Sequence, residues 1–261
     1  MTSTADGPRW KAALEKALSQ YDQNVVQIAT IDTATTTDGT STSTAIPRVR
    51  SHVVRNFLSK PNAPSLLLLI SSTDFRMPKV AQLTANPKAE IVWWIEGTKQ
   101  QFRFAADIYL LPSPTQRALY TEFMERVKAA EDGTAISVFK DDGEEQWESR
   151  RVELFRSLGP GMQAGWVRPT SGTPLKGGHE EAMKWPARLA EPNKETMTKE
   201  EYEEAKRLWE VALSNFVFFI IDPVEVDFVD LGTTPVDRRF LFKKKKVEGE
   251  NWVWDEEELV P

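Results

Sequence analysis

SLLLLISSTDFRMPKVAQLTANP, residues 65–87, is the stretch on which the reading turns. Its first seven residues are almost wholly apolar, as in a buried strand. Ser71-Ser72-Thr73 ends that strand, and Met77-Pro78-Lys79 opens a short helix reaching to about Ala85. Arg76 and Lys79 flank the helix start. A helix N-terminus leaves backbone N–H groups unpaired and carries partial positive charge, so it attracts anions. Two cations and the hydroxyls of Ser72 and Thr73 at one such terminus make an anion site of the phosphate-binding kind. The plainer reading is capping by Thr73 or Asp74, with Asp74 pairing to Arg76.

Working outward, VVQIATID (25–32) is a β-branched strand, and residues 48–58 form another. The polar segment 33–44, with Asp38-Gly39, reads as the hairpin loop between them. Beyond the short helix, residues 90–95 and 101–111 pair as strands across Glu96-Gly97-Thr98. Residues 8–21 are helical, with Trp10, Leu14, Leu18 and Tyr21 on one stripe. Helices are also expected over 115–130, 144–157 and 198–213, while 159–193 is Pro- and Gly-rich without periodicity. Four strands close the chain: 216–221, 224–229, 239–246 and 251–254.

This order predicts a mainly β protein with flanking helices, built on an antiparallel barrel of six or more strands, a closure that removes exposed edges. Strands at both ends of the chain argue for one domain spanning 1–261. Residues 8–130 would form the N-terminal barrel part with the anion-binding turn, 131–214 a helical and loop insertion, and 215–261 the closing strands.

Composition narrows the function. The 261 residues include no cysteine, which excludes disulfides, thiolate metal sites and cysteine nucleophiles. Two histidines, His52 and His179, make a metal cluster or a histidine triad improbable, so no metal is expected. A net charge of −6 argues against nucleic acid or an anionic membrane as partner. The apolar runs are too short to span a bilayer, and the N-terminus has no apolar core of signal-peptide type. An intracellular, cytoplasmic location is therefore expected.

Three further segments bear chemistry. In PRVRSHVVR (47–55), Arg48, Arg50 and His52 share one strand face, with Val49, Ser51 and Val53 on the other. Guanidinium forks on such a face suit phosphate oxygens, although a solvent-facing basic edge strand has the same pattern. In QQFRFAA (100–106), Gln101 can donate to and accept from a heteroaromatic edge, or simply sit on a half-exposed strand. In DRRFLF (237–242), Arg239 could reach a ring or an anion, while the lysines that follow read as a solvated strand end.

Taken in order, these pieces resemble the pyridoxamine 5′-phosphate oxidase family, in its divergent branch of fungi, cyanobacteria and plants. The likeness runs from IATIDT at residue 28 to WDEEELVP at the end. It rests on RSHVVR (50–55), TDFRMPKVAQLTANP (73–87), QFRF (101–104), MQAGWVRPTSG (162–172) and PVEVDFVDL with DRRFLF.

The resemblance implies a split β-barrel binding flavin mononucleotide (FMN) at a homodimer interface. Arg50 and Lys79 would bind the FMN phosphate, with Arg76, Ser72 and Thr73 assisting and Arg55 ending the basic motif. Ser51, His52 and Val53 would line the isoalloxazine ring, and Gln101 its polar edge. Thr170, Ser171 and Arg239 would approach from the other subunit. Ser72 stands where the true oxidases have tyrosine, and Val229 where they have tryptophan. Met77-Pro78 replaces a more usual Ser-Arg. Pro235-Val236-Asp237 replaces the Arg-x-His substrate signature. The expectation is an FMN-dependent oxidoreductase acting on a small molecule, related to the oxidases but with their B6-substrate signature not retained. The alternatives are a non-catalytic flavin-binding protein and another dimeric split-barrel module.

Overall fold

The structure, a computed structural model, describes residues 8–34, 44–246 and 252–261. Helix α1 (Arg9–Gln20) precedes the strand pair β1 (Val25–Ala34) and β2 (Thr44–Val53). Next come β3 (Asn56–Lys60), β4 (Ala63–Asp74), α2 (Pro78–Ala85), β5 (Lys88–Ile95) and β6 (Gln100–Leu111). The helical section holds α3 (Arg117–Lys128), α4 (Glu144–Ser157), α5 (Pro160–Gln163), α6 (Gly178–Ala182) and α7 (Lys199–Asn215). Strands β7 (Phe216–Asp230), β8 (Arg238–Lys246) and β9 (Trp252–Leu259) close the chain. Most of the expected hairpin loop, with Asp38-Gly39, lies outside the described residues.

The described strands form one antiparallel sheet in the order β2-β1-β5-β6-β7-β4-β3, with β8 and β9 added to β7. The long β7 organises it. One edge follows β6 along its whole length. The other edge pairs with β4 through Phe216–Ile221 and with β8 through Glu225–Asp230. Between these halves lies Asp222-Pro223-Val224, where the register against β6 shifts between Ala105 and Ala106. Proline has no ladder donor, so it sits where pairing is interrupted. The barrel splits at this point.

Alternation along these strands fills two cores. Leu67, Leu69, Ile108, Leu110, Val217, Phe219 and Ile221 face the barrel interior, which α1 plugs with Trp10 and Leu14 and α2 with Val80 and Leu83. Leu66, Leu68, Ile70, Leu111, Phe218 and Ile220 face the other way and pack under the helical section, on Phe123, Phe139, Trp147, Phe155 and Trp209. Burial on both faces is why SLLLLI and NFVFFII are apolar without alternation.

Three expectations need correction. The strand expected over 48–58 is two strands. β2 leaves β1 at Val53, the Arg55 N–H donates to Ile70 O at 2.7 Å, and β3 folds onto β4. The strands expected over 216–221 and 224–229 are one, because β6 supports both sides of Pro223. The last strand runs to Leu259 rather than Trp254, its carboxylates facing the basic β8, as in the Arg238–Glu258 pair at 2.8 Å. The segment 159–193 also holds the short helices α5 and α6. Among the described residues no helix is long and apolar enough to cross a membrane.

Asp222 locks the insertion to the barrel. Fully buried, it accepts from the N–H groups of Ala135 (3.1 Å) and Ile136 (2.9 Å) and from Lys244 Nζ (3.1 Å). Lys244 is thus a buried cation within a run that otherwise reads as solvated. Asp222→Ala would strand a charge and two donors, and is expected to lose about 3–5 kcal/mol of stability in urea unfolding. A loss below about 1 kcal/mol, the scale of a surface pair, would refute this assignment.

Candidate functional site

The inward face of β2 grades from water to core. Arg48, Arg50 and His52 lie opposite Thr30, Ile28 and Val26 of β1, all buried. Accordingly Arg48 is exposed, Arg50 half-buried and His52 only 5% exposed. Across the barrel, Ser71 and Thr73 share the face of Leu69 on β4. Helix α2 closes the gap. Val80 and Leu83 bury against the barrel, which aims Lys79 and Gln82, three residues apart, at β1 and β2.

Neutral groups hold these cations. Arg50 donates to Thr30 Oγ1 (2.5 Å) and Gln82 Oε1 (2.8 Å), and the Thr30 hydroxyl donates to Gln82 Oε1 at 2.8 Å. Lys79 Nζ lies 3.0 Å from His52 Nε2, and His52 Nδ1 lies 3.1 Å from Ser71 Oγ. Arg55, just beyond β2, touches the Met162 sulfur at 3.0 Å, and its Nε is buried without a partner. Among the described residues no carboxylate lies within ion-pair distance of Arg50, Arg55 or Lys79. The nearby acids are engaged, Asp32 by Arg48 at 3.1 Å and Asp74 by Arg76 at 2.6 Å.

The electrostatic consequences are large. Burial, then Lys79, Arg50 and Arg55, push the His52 imidazole down from 6.5 to about 3. Burial and then Arg50 push Lys79 down to about 8, with Asp74 opposing. Burial also lowers Arg50 and Arg55. The orphaned Thr73 hydroxyl has no partner although Thr73 is buried, and no side chain caps the N-terminus of α2. An arrangement of concentrated positive charge and open hydrogen-bonding capacity is one that an anion completes.

The other expected residues fall into separate places. Arg76 commits its guanidinium to both oxygens of Asp74 and to the carbonyls of Arg168 (2.8 Å) and Trp166 (3.3 Å). Ser72 lies on the opposite face from Ser71 and Thr73, toward the second core. Ser51 and Val53 point outward from the barrel. Gln101 and Arg239 lie on that same outer face, aligned through Val229. Arg239 donates to Asp227 at 2.7 and 3.0 Å, and Arg103 binds the same carboxylate. Thr170 and Ser171 line a separate loop cavity of about 920 Å³ with Lys176 and Trp185.

Residues 7–112 match the family model described as "Pyridoxamine 5'-phosphate oxidase, FMN-binding domain". That segment is similar to this family's FMN-binding domain. It contains β2, the turn and α2, hence every cation of the inner cluster. The chain is also similar in fold to a pyridoxamine 5′-phosphate oxidase-related, FMN binding protein from Nostoc punctiforme PCC 73102. That likeness covers 100% of both chains at 21% identity, with a TM-score of 0.61. PhzG from Burkholderia lata 383, in complex with tetrahydrophenazine-1-carboxylic acid, matches at 16% identity over 97% of this chain and 89% of its own, with a TM-score of 0.48. No curated protein matches the chain. Within the family segment, Thr30, Ser71 and Gln82 were not expected at the site. The two-residue step from Ser71 to Thr73 is the signal that places Ser71 and the three-residue step from Lys79 to Gln82 the one that places Gln82, while Thr30 is placed only by its strand pairing.

His52 also gives the site a measurable signature. The unfolded chain takes up this proton near pH 6.5 and the folded chain only near 3, so stability falls as pH drops from 6.5 toward 3. His52→Gln is expected to flatten that acid limb in urea unfolding, and NMR should find the native ring unprotonated at about pH 5. A ring titrating at its ordinary value would contradict this environment.

Proposed function

We propose that the chain binds FMN and works as an FMN-dependent oxidoreductase on a small organic molecule. The observation that carries the reading is the set of three partly buried cations, Arg50, Arg55 and Lys79, held only by neutral partners. In such a setting a phosphate dianion supplies charge that no carboxylate provides. Arg50 and Lys79 would hold the phosphate, with the orphaned Thr73 hydroxyl and the start of α2 beside them. Arg55 would add positive field. Arg76 would act by keeping the turn in place, and Ser72 by its backbone. Ser51, Val53 and Gln101 on the outer face would meet the flavin ring, with His52 behind the strand.

Bound FMN supplies the redox chemistry itself, and the residues here bind, orient and set the field. A homodimer is part of the proposal. The outer face that carries Gln101 and Arg239 also exposes Val49 (67%) and Val25 (45%), apolar surface suited to a second copy. Arg239, Thr170 and Ser171 would then reach the flavin of the partner. One observation favours a second reading, FMN binding without turnover: Pro235, Val236 and Asp237 stand exposed where the family's Arg-x-His substrate signature would fall. Bleaching of bound flavin by NAD(P)H or by a substrate separates the two.

The test is FMN titration of purified protein. Lys79→Ala and Arg50→Ala are each expected to weaken FMN by about 1.5–3 kcal/mol, the scale of a charge-assisted hydrogen bond, with riboflavin unaffected. Unchanged FMN affinity in both variants refutes the phosphate assignment. Affinity should also depend on pH. A bound dianion favours the Lys79 ammonium, so binding is strongest below about 8 and weakens as pH rises through that value. Affinity that is flat from pH 7 to 10 would remove Lys79 from the site.

A further inference from the structure

The cation cluster contains a histidine that does not act as a cation. Ser71 Oγ lies 2.8 Å from Val53 O, a pure acceptor, so the single hydroxyl proton points there. The Ser71 lone pair then faces His52 Nδ1, which must carry the ring proton. Nε2 is left as an acceptor, and Lys79 Nζ stands 3.0 Å from it. The ring packs against Phe219, with centroids 4.8 Å apart, and cannot turn freely. The chain of donors thus runs from the ammonium of α2 to the imidazole, from the imidazole to the serine, and from the serine to the backbone of β2. Arg50, Arg55 and Lys79 all face this ring, and Asp74 is held by Arg76. A protonated ring would oppose N–H to N–H and break the chain.

We propose that His52 is the positioning residue for Lys79: a neutral imidazole, locked as the Nδ1–H tautomer by Ser71, that fixes the ammonium beside the start of α2 and leaves its other two N–H donors for a phosphate. This rests on the phosphate reading above. It assigns His52 a role through Lys79 rather than contact with the flavin ring, and it gives Ser71 a function.

The experiment is a double-mutant cycle on the full chain, read as affinity for FMN, riboflavin and inorganic phosphate. His52→Phe keeps an aromatic ring on Phe219 but removes the acceptor. It is expected to weaken FMN and phosphate about tenfold and leave riboflavin unchanged. His52→Gln offers an amide oxygen to Lys79 and an amide N–H to Ser71, and should restore binding to within about threefold of wild type. If His52 acts through Lys79, Lys79→Ala costs much less in the His52→Phe background than alone. Additive losses, or wild-type FMN affinity in His52→Phe, overturn the proposal and leave the phosphate reading standing. Wild-type protein that binds neither FMN nor phosphate overturns both. Should His52→Phe fail to fold, Ser71→Ala serves in its place. It leaves the Nδ1–H without its acceptor and frees the ring to turn away from Lys79, so FMN and phosphate binding should weaken while riboflavin binding is unchanged. Unchanged FMN affinity, or an equal loss for riboflavin, in that variant overturns the proposal.

Discussion

Strand β7 has to satisfy two different partners along one edge while its other edge stays on β6 throughout. That shared strand joins the halves of the split barrel. It also fixes which residues can be neighbours. Because β4 pairs with its first half, Ser71 and Thr73 come to the barrel wall beside β2, and the chain leaving β4 must turn across the open side. Helix α2 begins there for want of any other course, and Lys79 arrives where Arg50 and His52 already project. The interruption at Pro223 leaves Asp222 buried, and the insertion and β8 both fasten to it.

Charge at the inner cluster is handled without internal neutralisation. A protein that needed these cations only for its fold would pair them with acids, as it does for Arg76, Arg103, Arg238 and Arg239. Thr30, Gln82, Ser71 and His52 instead orient the cations while leaving their charge in place. Hydrogen bonds from neutral partners fix geometry at small electrostatic expense, which suits a site that has to receive negative charge from outside.

Much of this was legible in the residues. The unbroken apolar run before Ser71, the Pro-Lys opening of α2 and the period-two basic face of β2 each have one simple physical meaning, and the structure has those elements. What was not legible depended on partners distant in sequence. Nothing in Val53-Val54-Arg55 announces that the chain changes neighbours there, since the apolar character continues. Pro223 reads as a break because proline lacks a ladder donor, yet β6 carries the strand past it. The acids of β9 hide a strand whose alternation is set by facing lysines. Ser71 and Gln82 are silent in the sequence because neutral hydrogen-bonding groups leave no charge signal. Their meaning comes from the ring and the guanidinium they touch.

Arg76 gives the molecule a mechanical property. Its guanidinium is clamped by Asp74 on the turn before α2 and reaches over to the backbone of Trp166 and Arg168, while the Trp166 indole donates back to Thr73 O at 3.2 Å. The turn and the loop bearing Thr170 and Ser171 therefore ride on one bracket. The rim of the 920 Å³ cavity and the floor of the cation cluster are thus tied together by hydrogen bonds, so a shift of either one strains the bonds that hold the other.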